Sequence, residues 1–109
     1  MNKINFNLDT TNLAAIGETR SFSITGGKGS VFSLEVKNED GHYYNFNTKS
    51  FQATKARLND VTIGRNNIYN SSIVFPKVTD ADKYDFYLFA DYAKETIHAD
   101  YQEVRRRDG

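Results

Sequence analysis

The fold is decided between Ile73 and Phe86, where the chain reads Ile-Val-Phe-Pro-Lys-Val-Thr-Asp-Ala-Asp-Lys-Tyr-Asp-Phe. Apolar residues alternate with others up to Pro76, which predicts a β-strand that ends there because proline has no N–H to give to a sheet. A second alternating strand begins at Tyr84 and runs through Phe86. The stretch therefore predicts two strands joined by a short turn.

The spacing of Asp80, Tyr84 and Phe86 suggests how that turn is held. It resembles the tyrosine corner of immunoglobulin-like β-sandwiches, in which a tyrosine hydroxyl ties the turn to the next strand. The pattern has an Asp four residues before the Tyr and a core residue, often Cys, two after it. Phe86 stands in place of that Cys, and the chain has no Trp. The resemblance implies a structural role; the alternative is a tyrosine that merely starts a strand.

Further alternating segments lie on both sides of this corner, and no long segment has the helical period. Turns rich in glycine and asparagine separate them at Gly26–Gly29, Asn38–Gly41 and Gly64–Asn67. The alternation slips near Asn59 and Asp60, which predicts a bulge or a turn there. We therefore predict an all-β, immunoglobulin-like antiparallel β-sandwich of about seven or eight strands.

Three parts of the chain are predicted. Residues 1–18 form an N-terminal strand or arm, residues 19–104 form the sandwich, and residues 105–109 form a basic tail. The tail leads into a further module, pairs with another chain or is a flexible end without a role. In the first part, Ile4, Phe6 and Leu8 alternate with polar residues. Such a segment suits either a strand of this domain or an arm that adds to a neighbour's sheet.

Composition narrows the classes of function. Fourteen basic residues balance fourteen acidic ones, which argues against nucleic acid as the main partner. No cysteine is present, so neither a disulfide nor a thiolate metal site is predicted. No apolar run has the length of a signal peptide or a membrane span. We expect synthesis in the cytoplasm and no membrane partner.

No catalytic, cofactor-binding or metal-binding set is predicted, and we expect a protein that is not an enzyme. Asp80, Asp82 and Asp85 offer oxygen ligands for calcium, but the glycine and terminal glutamate of an EF-hand loop are missing. His42 and His98 have no paired histidine. Gly26–Gly29 superficially resembles a phosphate-binding loop but fits a hairpin turn better. Arg105–Arg107 could bind an acidic partner but fits a solvated strand end better. Asn70–Ser72 is formally a glycosylation acceptor sequence, which has no meaning without a secretory signal.

Aromatic residues outnumber what one inward face can hold. Between Tyr84 and Ala90, one parity carries Tyr84, Phe86 and Leu88, and the other carries Tyr87 and Phe89. Aromatic side chains on an outer sheet face are typical of protein contacts. We predict a partner contact made by Tyr87, Phe89, Tyr92, Ile4, Phe6 and Leu8. Stacking on a carbohydrate would use the same kinds of residue and stays open.

The strands and turns also resemble sandwich modules in virion structural proteins of tailed phages, marine ones in particular. The likeness covers about residues 20–100 and is carried by Phe22–Gly26, Gly29–Val36, Asp40–Phe46, Ile73–Pro76 and Asp80–Tyr84. It implies a non-enzymatic building block of the particle, in a capsid decoration, neck, tail or fibre base. Its partners would be protein subunits of the same particle, in an oligomeric assembly. The alternative function is a host-surface adhesive or glycan-binding module.

Overall fold

Two antiparallel β-sheets pack face to face. The computed structural model describes residues 6–15, 18–76, 83–92 and 95–105, with the side chains of residues 6–13, 18–76 and 83–89. Within these residues lie a 3-10 helix and nine strands: the helix is Thr11–Ala15, and the strands are β1 (Phe6–Asp9), β2 (Thr19–Gly26), β3 (Val31–Asn38), β4 (Tyr43–Asn45), β5 (Ser50–Gln52), β6 (Leu58–Thr62), β7 (Ile68–Val74), β8 (Lys83–Tyr92) and β9 (Glu95–Arg105).

The order of the strands is that of an immunoglobulin-like sandwich. The smaller sheet has the order β1-β2-β7, and the larger has β5-β4-β3-β8-β9, with β6 also paired to β3. In the immunoglobulin pattern, strands A, B and E share one sheet, and strands C, F and G share the other. β1, β2 and β7 match the first set in chain order, and β3, β8 and β9 match the second. The predicted fold class is therefore confirmed.

The core lies between the two sheets and follows from the alternation of β2, β3 and β8. Phe22 on β2 contacts Phe86 on β8 with ring centroids 6.0 Å apart, which joins the sheets. Burying one such side chain stabilises a fold by about 1.5–3 kcal/mol. The buried apolar side chains of the described residues are Leu13, Phe22, Ile24, Phe32, Leu34, Val36, Tyr44, Ile63, Ile73, Phe75, Tyr84, Phe86 and Leu88.

The N-terminal strand β1 pairs with β2 of the sandwich, which agrees with the predicted alternative of a strand of this domain. β1 pairs with β2 from Phe6 opposite Gly26 to Asp9 opposite Ser23. The Phe6 ring lies 5.6 Å from that of Phe32, and Leu8 also packs against the core. These two half-buried apolar side chains pack against the chain's own core. Ile4 lies outside the described residues.

The short strand β5 depends on a cross-strand contact and has no alternating pattern of its own. Residues 47–53 are mostly polar, and no strand was predicted there from their pattern. β5 forms because Phe51 pairs with Tyr44 of β4, and the two rings lie 5.1 Å apart. Phe46 follows β4 and lies in the turn between β4 and β5. It still packs on the core through an edge contact with Tyr44.

The irregularity predicted near residues 59 and 60 is confirmed as a bulge in β6. Phe32 pairs with Val61 and Leu34 pairs with Leu58, so one residue of β3 faces two of β6. Asp60 adopts a positive φ of 53°. Its backbone N–H donates to the Ser33 hydroxyl at 3.1 Å, which holds the bulge against β3.

The segment after β1 turns sharply instead of forming an α-helix. Asp9 accepts hydrogen bonds from the hydroxyl and the backbone N–H of Thr11, at 2.7 and 3.0 Å. Both bonds hold the pKa of Asp9 below its ordinary value of 3.8, and the bond from the Thr11 hydroxyl has the larger effect. The 3-10 helix that follows places Leu13 in the core, 1% exposed. The connection is thus ordered by a local cap and one buried leucine.

Candidate protein-binding face

The outer face of the larger sheet carries the predicted contact residues Tyr87 and Phe89. β3 and β8 are paired so that Glu35 lies opposite Tyr87 and Ser33 lies opposite Phe89. Their neighbours Phe86 and Leu88 are buried, so strand alternation turns Tyr87 and Phe89 outward. Both rings are half-buried, which means that other side chains partly cover them.

Two cations lie over the rings of this face. The Arg57 guanidinium is 4.6 Å from the centre of the Phe89 ring. The Lys37 ammonium lies 5.9 Å from the Tyr87 ring and 6.0 Å from the Tyr43 ring. Cations within about 6 Å of an aromatic face are attracted to its negative quadrupole. We call Lys37, Tyr43, Arg57, Tyr87 and Phe89 the aromatic face from here on.

A buried carboxylate fixes the arginine of the aromatic face. The Glu35 side chain is 10% exposed, and its Oε1 accepts a hydrogen bond from Arg57 Nη2 at 3.2 Å. Lys55 Nζ lies 3.9 Å from the same oxygen but is 65% exposed, so solvent screens that pair. Arg57 therefore contacts a carboxylate and a ring at once, which restricts its rotamers.

Other predicted contact residues do not join this face. Phe6 and Leu8 pack on the core at the opposite sheet, for the reason given above. Tyr92 is the last residue of β8, and its side chain lies outside the described part of the chain. Ile4 lies outside it altogether. The structure thus brings together two of the six predicted residues, Tyr87 and Phe89.

The corner residues are only partly described. Tyr84 is 1% exposed, and its ring lies 4.9 Å from Phe75 and 5.6 Å from Phe51. Phe86 is fully buried against Phe22. Asp80 lies outside the described residues, so the bond that defines the corner stays a prediction.

The remaining candidates form no site among the residues that the structure describes. Asp80 and Asp82 lie outside the described residues, and Asp85 is half-buried on β8. In the part of the chain that the structure describes, no three His, Cys, Asp or Glu residues cluster as a metal site would require. Gly26–Gly29 forms the turn from β2 to β3, as its glycines predict. Arg105 ends β9, while residues 106 and 107 lie outside the description.

One cleft combines residue types seen in hydrolases. Asp40, His42 and Ser50 line a cleft of about 360 Å³ at one end of the sandwich. The Ser50 hydroxyl bonds to that of Thr48 at 2.9 Å. Among the described residues, no hydrogen bond joins the His42 ring to Asp40 or Ser50. His98 lies on β9, away from this turn in sequence, with its side chain not described.

Three of the residues in or beside the aromatic face were not singled out from the sequence: Glu35, Lys37 and Arg57. The alternation of β3 places Glu35 and Lys37 on its outer face, so the sequence pattern alone predicts that these two side chains point outward. Arg57 lies in an irregular segment 22 residues after Glu35, directly before the bulged strand β6. No local signal pairs these two residues.

Comparison with family models, curated proteins and solved structures finds no match for this chain. None of the described residues forms a helix with the length and hydropathy needed to cross a lipid bilayer. Function is therefore inferred from the surfaces of the sandwich.

Proposed function

We propose that this chain is a non-enzymatic structural module of a phage particle that binds neighbouring protein subunits through the aromatic face. The observation that carries the proposal is the placement of Tyr43, Tyr87 and Phe89 with Lys37 and Arg57 on one outer sheet surface. Tyrosine, phenylalanine and arginine are enriched in protein interfaces, and tyrosine and arginine are frequent among their strongest contacts.

The fixed position of Arg57 supports a protein contact. Binding loses affinity when flexible side chains must be ordered, at about 0.5–1.5 kcal/mol for each. The hydrogen bond to Glu35 and the stacking on Phe89 order Arg57 in the free protein. The face is therefore suited to dock without rearrangement.

The phage particle enters the proposal through the resemblance of the strands and turns to virion sandwich modules. A fold without a disulfide, built on packing alone, is compatible with such a building block. The virion is accordingly the proposed location, and subunits of the same particle are the proposed partners.

Glycan binding is the second candidate, and one observation bears on it. A sugar that stacks on Phe89 would have to displace the Arg57 guanidinium, which is 4.6 Å from the ring centre. That displacement would also break the bond to Glu35. The arrangement therefore favours a protein partner.

The experiment compares particle incorporation of the wild-type chain and the double variant Tyr87→Ala with Phe89→Ala, by mass spectrometry of purified particles. We expect a loss of about tenfold or more, as for central interface residues. The matched control is Asn7→Ala with Thr25→Ala, an exposed cross-strand pair on the smaller sheet. It should incorporate normally.

Thermal unfolding of each variant confirms that the fold persists. Equal incorporation of the folded double variant and the control would overturn the contact assignment. Reproducible binding of the isolated chain to a glycan array, lost in the double variant, would favour the second candidate instead.

A further inference from the structure

The smaller sheet ends at β7. Immunoglobulin-like sandwiches of the constant type place a fourth strand, D, beside strand E. β7 occupies the place of strand E and pairs with β2 on one side. Among the residues described, no strand pairs with its other side. Within the described part of the chain, β7 therefore presents an open sheet edge.

The backbone groups that face the open edge follow from the hydrogen bonds near the end of β7. Phe75 N–H donates to the carbonyl of Glu18, on the β2 side. Val74 N–H points the opposite way and donates to the Tyr44 hydroxyl at 3.1 Å. Because backbone groups alternate along a strand, those of Ser72 and Asn70 share the direction of Val74. Within the described residues, neither has a partner there.

A groove of about 340 Å³ runs beside this edge, between β7 and the β4 end of the larger sheet. Half-buried Phe46, Leu58 and Tyr69 supply its apolar lining, and all three pack against the core. Lys49 is the one charged residue among the groove's described lining residues. The groove therefore combines free backbone groups, an apolar lining and one positive charge.

We propose that this groove receives an extended segment of a partner protein, which pairs with β7 as an added strand. Strand addition takes its affinity from main-chain hydrogen bonds and its specificity from side chains at alternate positions. The segment would turn apolar side chains toward Phe46 and Tyr69 and place a carboxylate near Lys49. The groove lies at the sheet edge, so this site is separate from the aromatic face and goes beyond the function proposed above.

The backbone of Ser72 provides a sharp test. Its N–H points to the open edge, so Ser72→Pro removes one donor to the added strand and leaves the ladder with β2 intact. Ser72→Ala is the matched control, because it keeps the N–H and removes only the hydroxyl. The full chain is used to select binders from a displayed library of random ten-residue peptides. The enriched peptide is then synthesised, and its affinity is measured by fluorescence anisotropy.

We expect enriched peptides with apolar residues at alternate positions and one acidic residue. Affinity should fall about tenfold in Ser72→Pro, the effect of one lost interaction of about 1.4 kcal/mol, and stay within about twofold in Ser72→Ala. Because Ser72→Pro can also harm folding, the selected peptide is remade with N-methyl groups at alternate residues. One of the two N-methylated registers should abolish binding to the wild-type chain.

Three results would overturn the proposal. The first is a library that yields no enriched peptide. The second is a peptide whose affinity is unchanged by Ser72→Pro in the folded variant and by both N-methylated registers. The third is glycan-array binding that requires Tyr69 but not the Ser72 N–H, which would make the groove a sugar site.

Discussion

The hydroxyl of Tyr44 accepts a hydrogen bond from the backbone N–H of Val74 at 3.1 Å. Tyr44 belongs to β4 of the larger sheet, and Val74 ends β7 of the smaller one. The tyrosine is 1% exposed, and its ring contacts Phe46 and Phe51. One buried side chain therefore joins the two sheets by packing and by a polar bond at the open edge of β7.

Removing this hydroxyl should destabilise the sandwich. Tyr44→Phe keeps the ring contacts but leaves the Val74 N–H without its acceptor, and we expect a loss of about 1–2 kcal/mol in the free energy of unfolding. Urea denaturation measures it. Tyr43→Phe is the matched control, since Tyr43 lies half-buried on the aromatic face. This variant should lose less than about 0.5 kcal/mol in the free energy of unfolding. Equal losses in the two variants would contradict a special role for Tyr44.

The same bond predicts a pH dependence. Burial raises the pKa of the Tyr44 hydroxyl above its ordinary value of 10.0, and the hydrogen bond from Val74 offsets only part of that effect. The unfolded chain therefore loses this proton at a lower pH than the folded one. The contribution of Tyr44 is complete below pH 10.0 and is lost as pH rises through the folded pKa.

Denaturation at a series of pH values between about 8 and 11 checks this behaviour. The stability advantage of the wild type over Tyr44→Phe should shrink as pH passes about 10, whereas Tyr43→Phe should lose stability in parallel with the wild type. An advantage that stays constant across the series would show that the Tyr44 hydroxyl is not buried in solution.

Local sequence patterns predict most of the long strands and the face that each one buries. Phe22, Ile24, Phe32 and Leu34 lie on long strands with one buried face, so period-two alternation predicts their direction. The slip at Asp60 was readable because the alternation changes phase there. β5 was missed because it depends on one cross-strand contact, Phe51 with Tyr44, instead of a local pattern.

The candidate site was only partly predictable. The parity of Tyr87 and Phe89 places them on the outer face of β8, and this much needs no tertiary information. The cations that cover these rings are Lys37 of β3 and Arg57 of the irregular segment before β6. Their positions over the rings can be predicted only once the strand pairing is known. Phe6 was assigned to a partner contact because an apolar terminal segment can serve a neighbour's sheet or its own. The pairing of Phe6 with Gly26 of β2 could not be predicted from the alternation of the terminal segment alone.

Arg57 should stabilise the fold by neutralising a buried charge. In Arg57→Ala, the Glu35 carboxylate, 10% exposed, loses its hydrogen-bonded partner at 3.2 Å. We expect a loss of about 2 kcal/mol in the free energy of unfolding, because an unpaired buried charge is costly. Lys55→Ala is the matched control. The Lys55 side chain is 65% exposed, and its ammonium lies 3.9 Å from the same carboxylate. Lys55→Ala should therefore lose less than about 1 kcal/mol in the free energy of unfolding.

A second substitution separates the charge from the packing of Arg57 on Phe89. Adding Glu35→Gln to Arg57→Ala removes the unpaired charge, so part of the lost stability should return. Thermal and urea unfolding of the single and double variants measure this coupling. If the double variant is as unstable as the sum of the two single variants, the ion pair contributes nothing, and stacking on Phe89 explains the whole effect.

The bulge in β6 depends on a residue that tolerates positive φ. Asp60 has a φ of 53°, a conformation that costs β-branched residues more than Asp, Asn or Gly. We expect Asp60→Val to lower the free energy of unfolding by about 1–2 kcal/mol, and Asp60→Asn to change it by less than about 0.5 kcal/mol. Asn59→Val is the matched control, since Asn59 is exposed beside Asp60 without a positive φ. Urea denaturation of the three variants decides the matter. If Asp60→Val is no less stable than Asn59→Val, then residue 60 does not need a positive φ for β6 to pair with β3 in solution.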